Sequence, residues 1–171
     1  MKLKIRENPE EIQKRIKTLR KLKKTSLNIG LPPSAGGRLR LILAVQEHGS
    51  PLLRIPPRPV IVPALSKPET KEAMAEKMNE ALRAAWQGNE TAAKEALEEA
   101  GKAGADGIRA YIDSHIPPPN SKVTVSGGWI YNRIAKKAVH VPGKGFDKPL
   151  YDSGELYNAF SYEISEDDNN K

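Results

Sequence analysis

Between Pro51 and Pro63 five of thirteen positions are proline, at 51, 56, 57, 59 and 63, and no other stretch restricts the backbone so severely. Proline fixes φ, lacks an amide hydrogen and biases the residue before it towards extended conformation. The interval excludes both a helix interior and a central strand. Ile55 to Val62 is therefore expected to run as a stiff extended strap at a sheet edge. A second block, Pro117-Pro118-Pro119, must stop the helix that precedes it.

On either side of these blocks the apolar spacing assigns the elements. Asn8 fits an N-cap, Pro9 the first helical position and Glu11 the acid of a capping box, ahead of Ile12, Ile16, Leu19 and Leu22 on one stripe. Leu27, Ile29 and Leu31 alternate with Ser26, Asn28 and Gly30 as in a half-buried strand. Leu39, Leu41, Leu43 and Val45 also alternate, so a strand is expected there, with a helix as the rival. Ser66-Lys67-Pro68-Glu69 opens a helix over 66–87 that Gly88 ends, and Asn89 caps a second over 89–116. Gly101, Gly104 and Gly107 each weaken that second helix by ~1 kcal/mol relative to alanine, which close packing against a neighbouring element would offset.

Further on, Lys122 to Val125 is expected as a short strand. Asp152-Ser153-Gly154 carries turn chemistry and Glu155 to Asn158 one helical turn, before Phe160, Tyr162 and Ile164 alternate as a last strand. The expected fold is α+β: a mostly antiparallel sheet of about four strands packed against the two long helices. Residues 1–24 form a basic amphipathic helix or arm, 25–164 one domain, and 165–171 an acidic tail too polar to expect in order.

The net charge of +7 is concentrated. Residues 1–24 hold ten Lys and Arg against Glu7, Glu10 and Glu11, and the rest of the chain is neutral in sum. Such an arm can neutralise phosphates or simply form a solvated helix face. There is no cysteine, so disulfides, thiolate metal sites and cysteine nucleophiles are excluded. No stretch approaches the ~20 apolar residues of a membrane span. His48, His115 and His140 have no metal-ligand spacing and suggest no triad, and Gly143-Lys144-Gly145 lacks the spacing of a phosphate-binding loop. A non-enzymatic protein without cofactors is expected.

Two separated segments narrow the reading. Glu47-His48-Gly49 runs into Ile55-Pro56-Pro57-Arg58-Pro59, and Leu150-Tyr151-Asp152-Ser153-Gly154-Glu155-Leu156 runs into Ser161-Tyr162-Glu163-Ile164. Arg58 is braced between two prolines. An internal pair with Glu47 is the first expectation, a contact across a subunit boundary the second. As an E-x-G … I-P-x-R-P segment followed by an L-x-D-[ST]-G-x-L … S-[YI]-x-[IV] ending, over roughly 24–164, the chain resembles the neck or tail-completion proteins of tailed bacteriophages. Against that family's shorter path, residues 129–145 look inserted. Trp129, Tyr131 and Arg133 sit in this basic, aromatic stretch, which suits a hairpin contacting a neighbouring protein better than a site for single-stranded nucleic acid.

The resemblance implies a structural virion protein, assembled in the bacterial cytoplasm and forming a ring in the neck. Six copies are the default and twelve the rival. Its neighbours would be the portal or head-closure ring and a tail terminator or tail-tube protein, with DNA passing through the channel during ejection. Glu47, Gly49, Arg58, Pro59, Trp129, Tyr131, Arg133, Asp152 and Gly154 are the candidate contact or motif residues. The alternatives are a tail terminator in the same apparatus, or a nucleic-acid-binding protein using the basic N-terminal helix and the Trp129 loop.

Overall fold

In a computed structural model describing residues 8–166, Asn8 caps α1 (Pro9–Lys23), its Oδ1 accepting a hydrogen bond from the Glu10 amide at 3.1 Å. The described chain forms two compact units. The first comprises residues 8–29, Pro68–Ala105 and 161–166. Here α1 packs on α4 (Pro68–Trp86), so the apolar stripe finds its partner within its own unit. Leu22 lies against a core of Ala81, Ala96 and Leu97, joined by Ile164. At the outer side of α1, Lys21 pairs with Glu90 and Glu166 at 2.5 and 3.3 Å. These exposed pairs contribute little to stability.

Gly88, at φ +74°, ends α4, and Asn89 starts α5 (Glu90–Asp113) by accepting the Ala92 amide on its Oδ1 at 3.1 Å. The two long helices therefore stand within a few residues of their expected bounds. A Cβ on Gly101 would collide with the Tyr162 ring, and one on Gly104 would come within 2.5 Å of Ile29 Cδ1. Both glycines are packing residues, admitting β1 (Thr25–Gly30) and β4 (Ser161–Glu166), which pair as a two-stranded sheet. The cost to helix propensity is offset by this close approach.

The second unit comprises Gly30–Lys67 and Asp106–Phe160. Its buried side chains include Leu39, Leu43, Val60, Ile108, Ile112 and Phe160. Three segments correct the sequence reading. Residues 39–45 lie in a helix, α2 (Gly36–His48), not a strand. Leu39 and Leu43 are buried four residues apart while Leu41 is exposed, a helical period that the apparent alternation disguised. Residues 122–125 also are helical, in α6 (Lys122–Ser126), because the Ser121 hydroxyl accepts the Thr124 amide and caps the turn. The proline strap has no sheet to edge. It makes an isolated bridge between Ser50 and Ile55, runs irregularly to Val60 and then enters α3 (Ile61–Leu65), whose first turn tolerates Pro63.

The inserted stretch is a hairpin. β2 (Gly128–Asn132) pairs antiparallel with β3 (Lys137–Val141), setting Trp129 opposite His140 and Tyr131 opposite Ala138. At its tip the Asn132 Oδ1 accepts the amides of Ile134 and Ala135 at 3.0 and 2.9 Å. After it, α7 (Glu155–Ala159) supplies the expected helical turn. The α+β class stands, but the strands form two separate two-stranded sheets, β1–β4 and β2–β3, in place of one four-stranded sheet. No helix among the described residues is long and apolar enough to cross a membrane.

Candidate functional site

Parts of the two sequence segments, some ninety residues apart along the chain, line one cleft of the second unit. Its volume is about 580 Å³, and Ile55, Pro56 and Arg58 line it together with the whole run from Leu150 to Leu156. Each segment is held by bonds that its residue types make possible.

The strap is fixed from both ends. Arg58 is only 6% exposed, and its guanidinium donates from Nε to the Pro118 carbonyl at 2.8 Å and from Nη2 to the Pro119 carbonyl at 2.9 Å. Its amide donates to the Gln46 carbonyl at 2.6 Å. Burial lowers the Arg58 pKa from its ordinary value, opposed by the nearby Asp147 carboxylate. An arginine remains protonated even so. Asp147 in turn accepts the Asn120 amide and side-chain Nδ2 at 3.0 and 2.9 Å, fixing the turn whose carbonyls Arg58 uses.

Glu47 does not pair with Arg58, as the first expectation had it. Its Oε1 accepts the amides of Val60 and Ile61 at 2.8 and 2.9 Å, occupying donors that the start of α3 leaves open. Both charged groups thus serve the main chain, and neither needs the other. Gly49 stands at φ +74°, where a Cβ would come within 2.8 Å of the Ile55 carbonyl oxygen and 2.9 Å of the Pro57 nitrogen. Only glycine fits this crossing. Pro59 is exposed between Arg58 and Val60, both buried.

On the other wall, Gly154 adopts the left-handed conformation, φ +82°, at the start of α7, and Ser153 Oγ accepts the Glu155 amide at 3.4 Å. Asp152 is exposed at the cleft, and Glu155 pairs with Arg38 at 2.7 Å. Two lysines order the loop beneath. Lys144 Nζ donates to the carbonyls of Lys148 and Tyr151 at 2.7 and 2.6 Å, and burial lowers its pKa. Lys148 Nζ reaches Asp113 Oδ1 at 2.5 Å, while Tyr157 donates its hydroxyl to Asp113 Oδ2 at 2.8 Å. These bonds, Lys148 first, hold the Asp113 carboxyl below the usual range and raise the Lys148 and Tyr157 pKa values.

Trp129, Tyr131 and Arg133 stand apart from this cleft, exposed on the hairpin, although Ile130 and Val141 line it. Trp129 and His140 meet edge to face, 5.4 Å between ring centroids. Sequence reasoning missed Pro118, Pro119, Asn120, Lys144, Asp147 and Asp113. A signal was present for the first two: consecutive prolines expose carbonyl acceptors and bring no amide donors of their own.

The cleft is lined by polar and apolar side chains together, with Arg38, Asp152 and Glu155 beside Leu39, Ile42 and Val123. Among the described residues no three His, Cys, Asp or Glu side chains gather where they could hold a metal ion. No protein-family model, no curated protein and no solved structure matches the chain.

Proposed function

We propose that this protein is a structural virion subunit of a tailed bacteriophage, forming a ring in the neck that joins the filled head to the tail. The observation that carries the reading is that the I-P-x-R part of the first segment and the L-x-D-S-G-x-L turn line one cleft. Two short sequence similarities far apart would mean little if their residues were scattered. As walls of one cleft they form a connected region, and the family resemblance then rests on it.

The exposed hairpin fits the same role, since a ring subunit must present contact surfaces to copies of itself and to the rings above and below. Its partners would be the portal or head-closure ring on one side and a tail terminator or tail-tube protein on the other, with DNA passing through the channel. Disrupting the gene in its phage tests this. Separated filled heads and free tails seen by electron microscopy are expected, and joined, infectious particles would refute the neck role. A terminator acting within the tail would instead leave tails of irregular length.

A second reading, binding of nucleic acid, draws on the exposed cations of α1, among them Lys14, Lys17, Arg20 and Lys23. Leu22 packs against the core of its unit, so deleting residues 1–24 would damage the fold as well as the charge. Replacing Lys17 and Arg20 by glutamate is the cleaner probe. Salt-dependent DNA binding by the purified protein, abolished in that variant, would favour this reading.

A further inference from the structure

Arg58 and Lys144 line the same cleft, and neither takes part in an ion pair among the described residues. Their side-chain bonds run to carbonyls alone, from the guanidinium to Pro118 and Pro119 and from the ammonium to Lys148 and Tyr151. Carbonyl dipoles orient a cation but do not cancel its charge. Burial lowers the pKa of both groups, and the Arg58 charge lowers that of Lys144 further, so the two stand close enough to repel. Asp147 and Asp152 oppose this only from beyond ion-pair distance. A charge taken out of water is costly unless an opposite one meets it.

Both cations also keep a donor unused. An ammonium has three N–H donors and a guanidinium five, and Lys144 commits two of its own. Among the described residues Gln46 Oε1 is the one buried side-chain nitrogen or oxygen without a partner. Arg58 Nη1 has no partner there either, so it is not enclosed, and the cleft is an opening that Arg58 lines. The rest of the lining selects the class of anion. Asp152 and Glu155 stand on the same cleft and oppose a string of phosphates, but not a single carboxylate held at the two cations. Leu39, Ile42, Val123 and Leu156 add aliphatic surface, which suits an apolar group next to that carboxylate. The volume of about 580 Å³ falls within the range of small-ligand sites, about 300 to 1,000 Å³.

We propose that the cleft is a binding site for a monocarboxylate carried on an apolar group, the carboxylate drawn to Arg58 and Lys144 and the apolar group lying against the aliphatic lining. A medium-chain fatty acid and a glutamate beside a leucine in a short peptide share this chemistry. The proposal goes beyond the neck role and does not depend on it.

Octanoate is the probe, titrated calorimetrically into the full chain, with octanol and octylammonium as controls of the same length and N-acetyl-leucyl-glutamate amide as the peptide form. Octanoate or the peptide should bind saturably and about tenfold or more tighter than either control, since only they bring the charge that the two cations lack. In the natural chain the Arg58 Nε–H and Lys144 ammonium resonances should shift along the same titration, a readout that needs no variant. Arg58→Lys keeps the charge but loses the planar fork and should bind about tenfold more weakly. Should that variant not fold, the two resonances decide. Tighter binding of octanoate than of the peptide supports the site and assigns it to a small molecule, and the reverse supports it and assigns it to a partner protein's acidic segment. Controls that bind as tightly as the carboxylates would overturn the proposal. So would carboxylate binding that leaves both resonances unmoved, or no binding of either carboxylate.

Discussion

Arg58 Nε lies 2.8 Å from the carbonyl oxygen of Pro118, a contact between residues sixty positions apart that ties the proline strap to the end of α5's following turn. The neighbouring bond to Pro119 makes the guanidinium a two-pronged clamp on main-chain acceptors. Removing it by Arg58→Ala would leave both carbonyls without these donors inside the unit. Buried hydrogen bonds from a charged donor contribute about 1.5 to 3 kcal/mol, so a loss of stability of about 2 to 3 kcal/mol is expected on denaturant unfolding. Arg58→Lys should recover only part of this, because an ammonium cannot reproduce the planar fork. An unchanged midpoint for Arg58→Ala would show that the clamp contributes nothing to the fold.

The cluster of Asp113, Lys148 and Tyr157 predicts a pH dependence. The Asp113 carboxyl is held below its usual range, mainly by Lys148, so its stabilisation is present above the unfolded value and is lost as pH falls through the folded one, below about pH 4. The Lys148 and Tyr157 values are raised, so their contributions are present below their unfolded values and are lost as pH rises through the folded ones, above about pH 10. Asp113→Asn should therefore be less stable than the natural chain through the neutral range, with the difference closing at both extremes. Denaturant midpoints measured from pH 3 to 11 read this directly. A difference that stays constant with pH would mean that the cluster is not electrostatic in its effect.

Gly101 and Gly37 should respond oppositely to the same change. Alanine improves helix propensity at either position. At Gly101, however, the added methyl group meets the Tyr162 ring at Cγ and Cβ, atoms close to the backbone that cannot swing away, whereas nothing lies within 4 Å of a Cβ on Gly37. Gly101→Ala is expected to lower stability by about 1 to 3 kcal/mol, and Gly37→Ala to be neutral or slightly stabilising. Thermal unfolding of the two variants side by side would decide it, and a stabilised Gly101→Ala would contradict the packing at that helix.

What the sequence revealed depended on how local the determining signal was. The ends of α4 and α5 were legible because Asn89 and Gly88 act on residues beside them. β1 and β4 were legible because their alternation is unbroken. α2 was misread since Leu39 to Val45 satisfies both periods, and only burial of Leu39 and Leu43 without Leu41 separates them. At the candidate site the residues Glu47, Gly49, Arg58 and Gly154 stood out in the sequence, but their bonding did not. Opposite charges eleven positions apart suggested a pair, while the main chain of Val60, Ile61, Pro118 and Pro119 offered each a partner that no side-chain pattern announces. Lys144, Asp147 and Asn120 are single residues in loops with no periodicity to mark them.

The same contrast limits how much of the inserted stretch can be removed. As a sequence, 129–145 reads as one surface excursion, but the hairpin ends at Val141. Beyond it the chain returns: the amides of Lys144 and Gly145 donate to the carbonyls of Thr124 and Val125 at 3.0 and 2.9 Å, and Gly143 lies so close to Gly127 that no side chain fits between them. Replacing residues 130–139 by a short Gly-Ser linker should leave a soluble, cooperatively melting protein, because shortening a surface loop changes its closure entropy only slowly. Extending the replacement through Gly145 removes the Lys144 ammonium from two carbonyls and should destabilise the unit sharply, and Lys144→Met alone should cost about 1.5 to 3 kcal/mol. If the longer replacement melts like the shorter one, the anchoring assigned to Lys144 is wrong. If the shorter one already fails to fold, the hairpin itself belongs to the core of its unit.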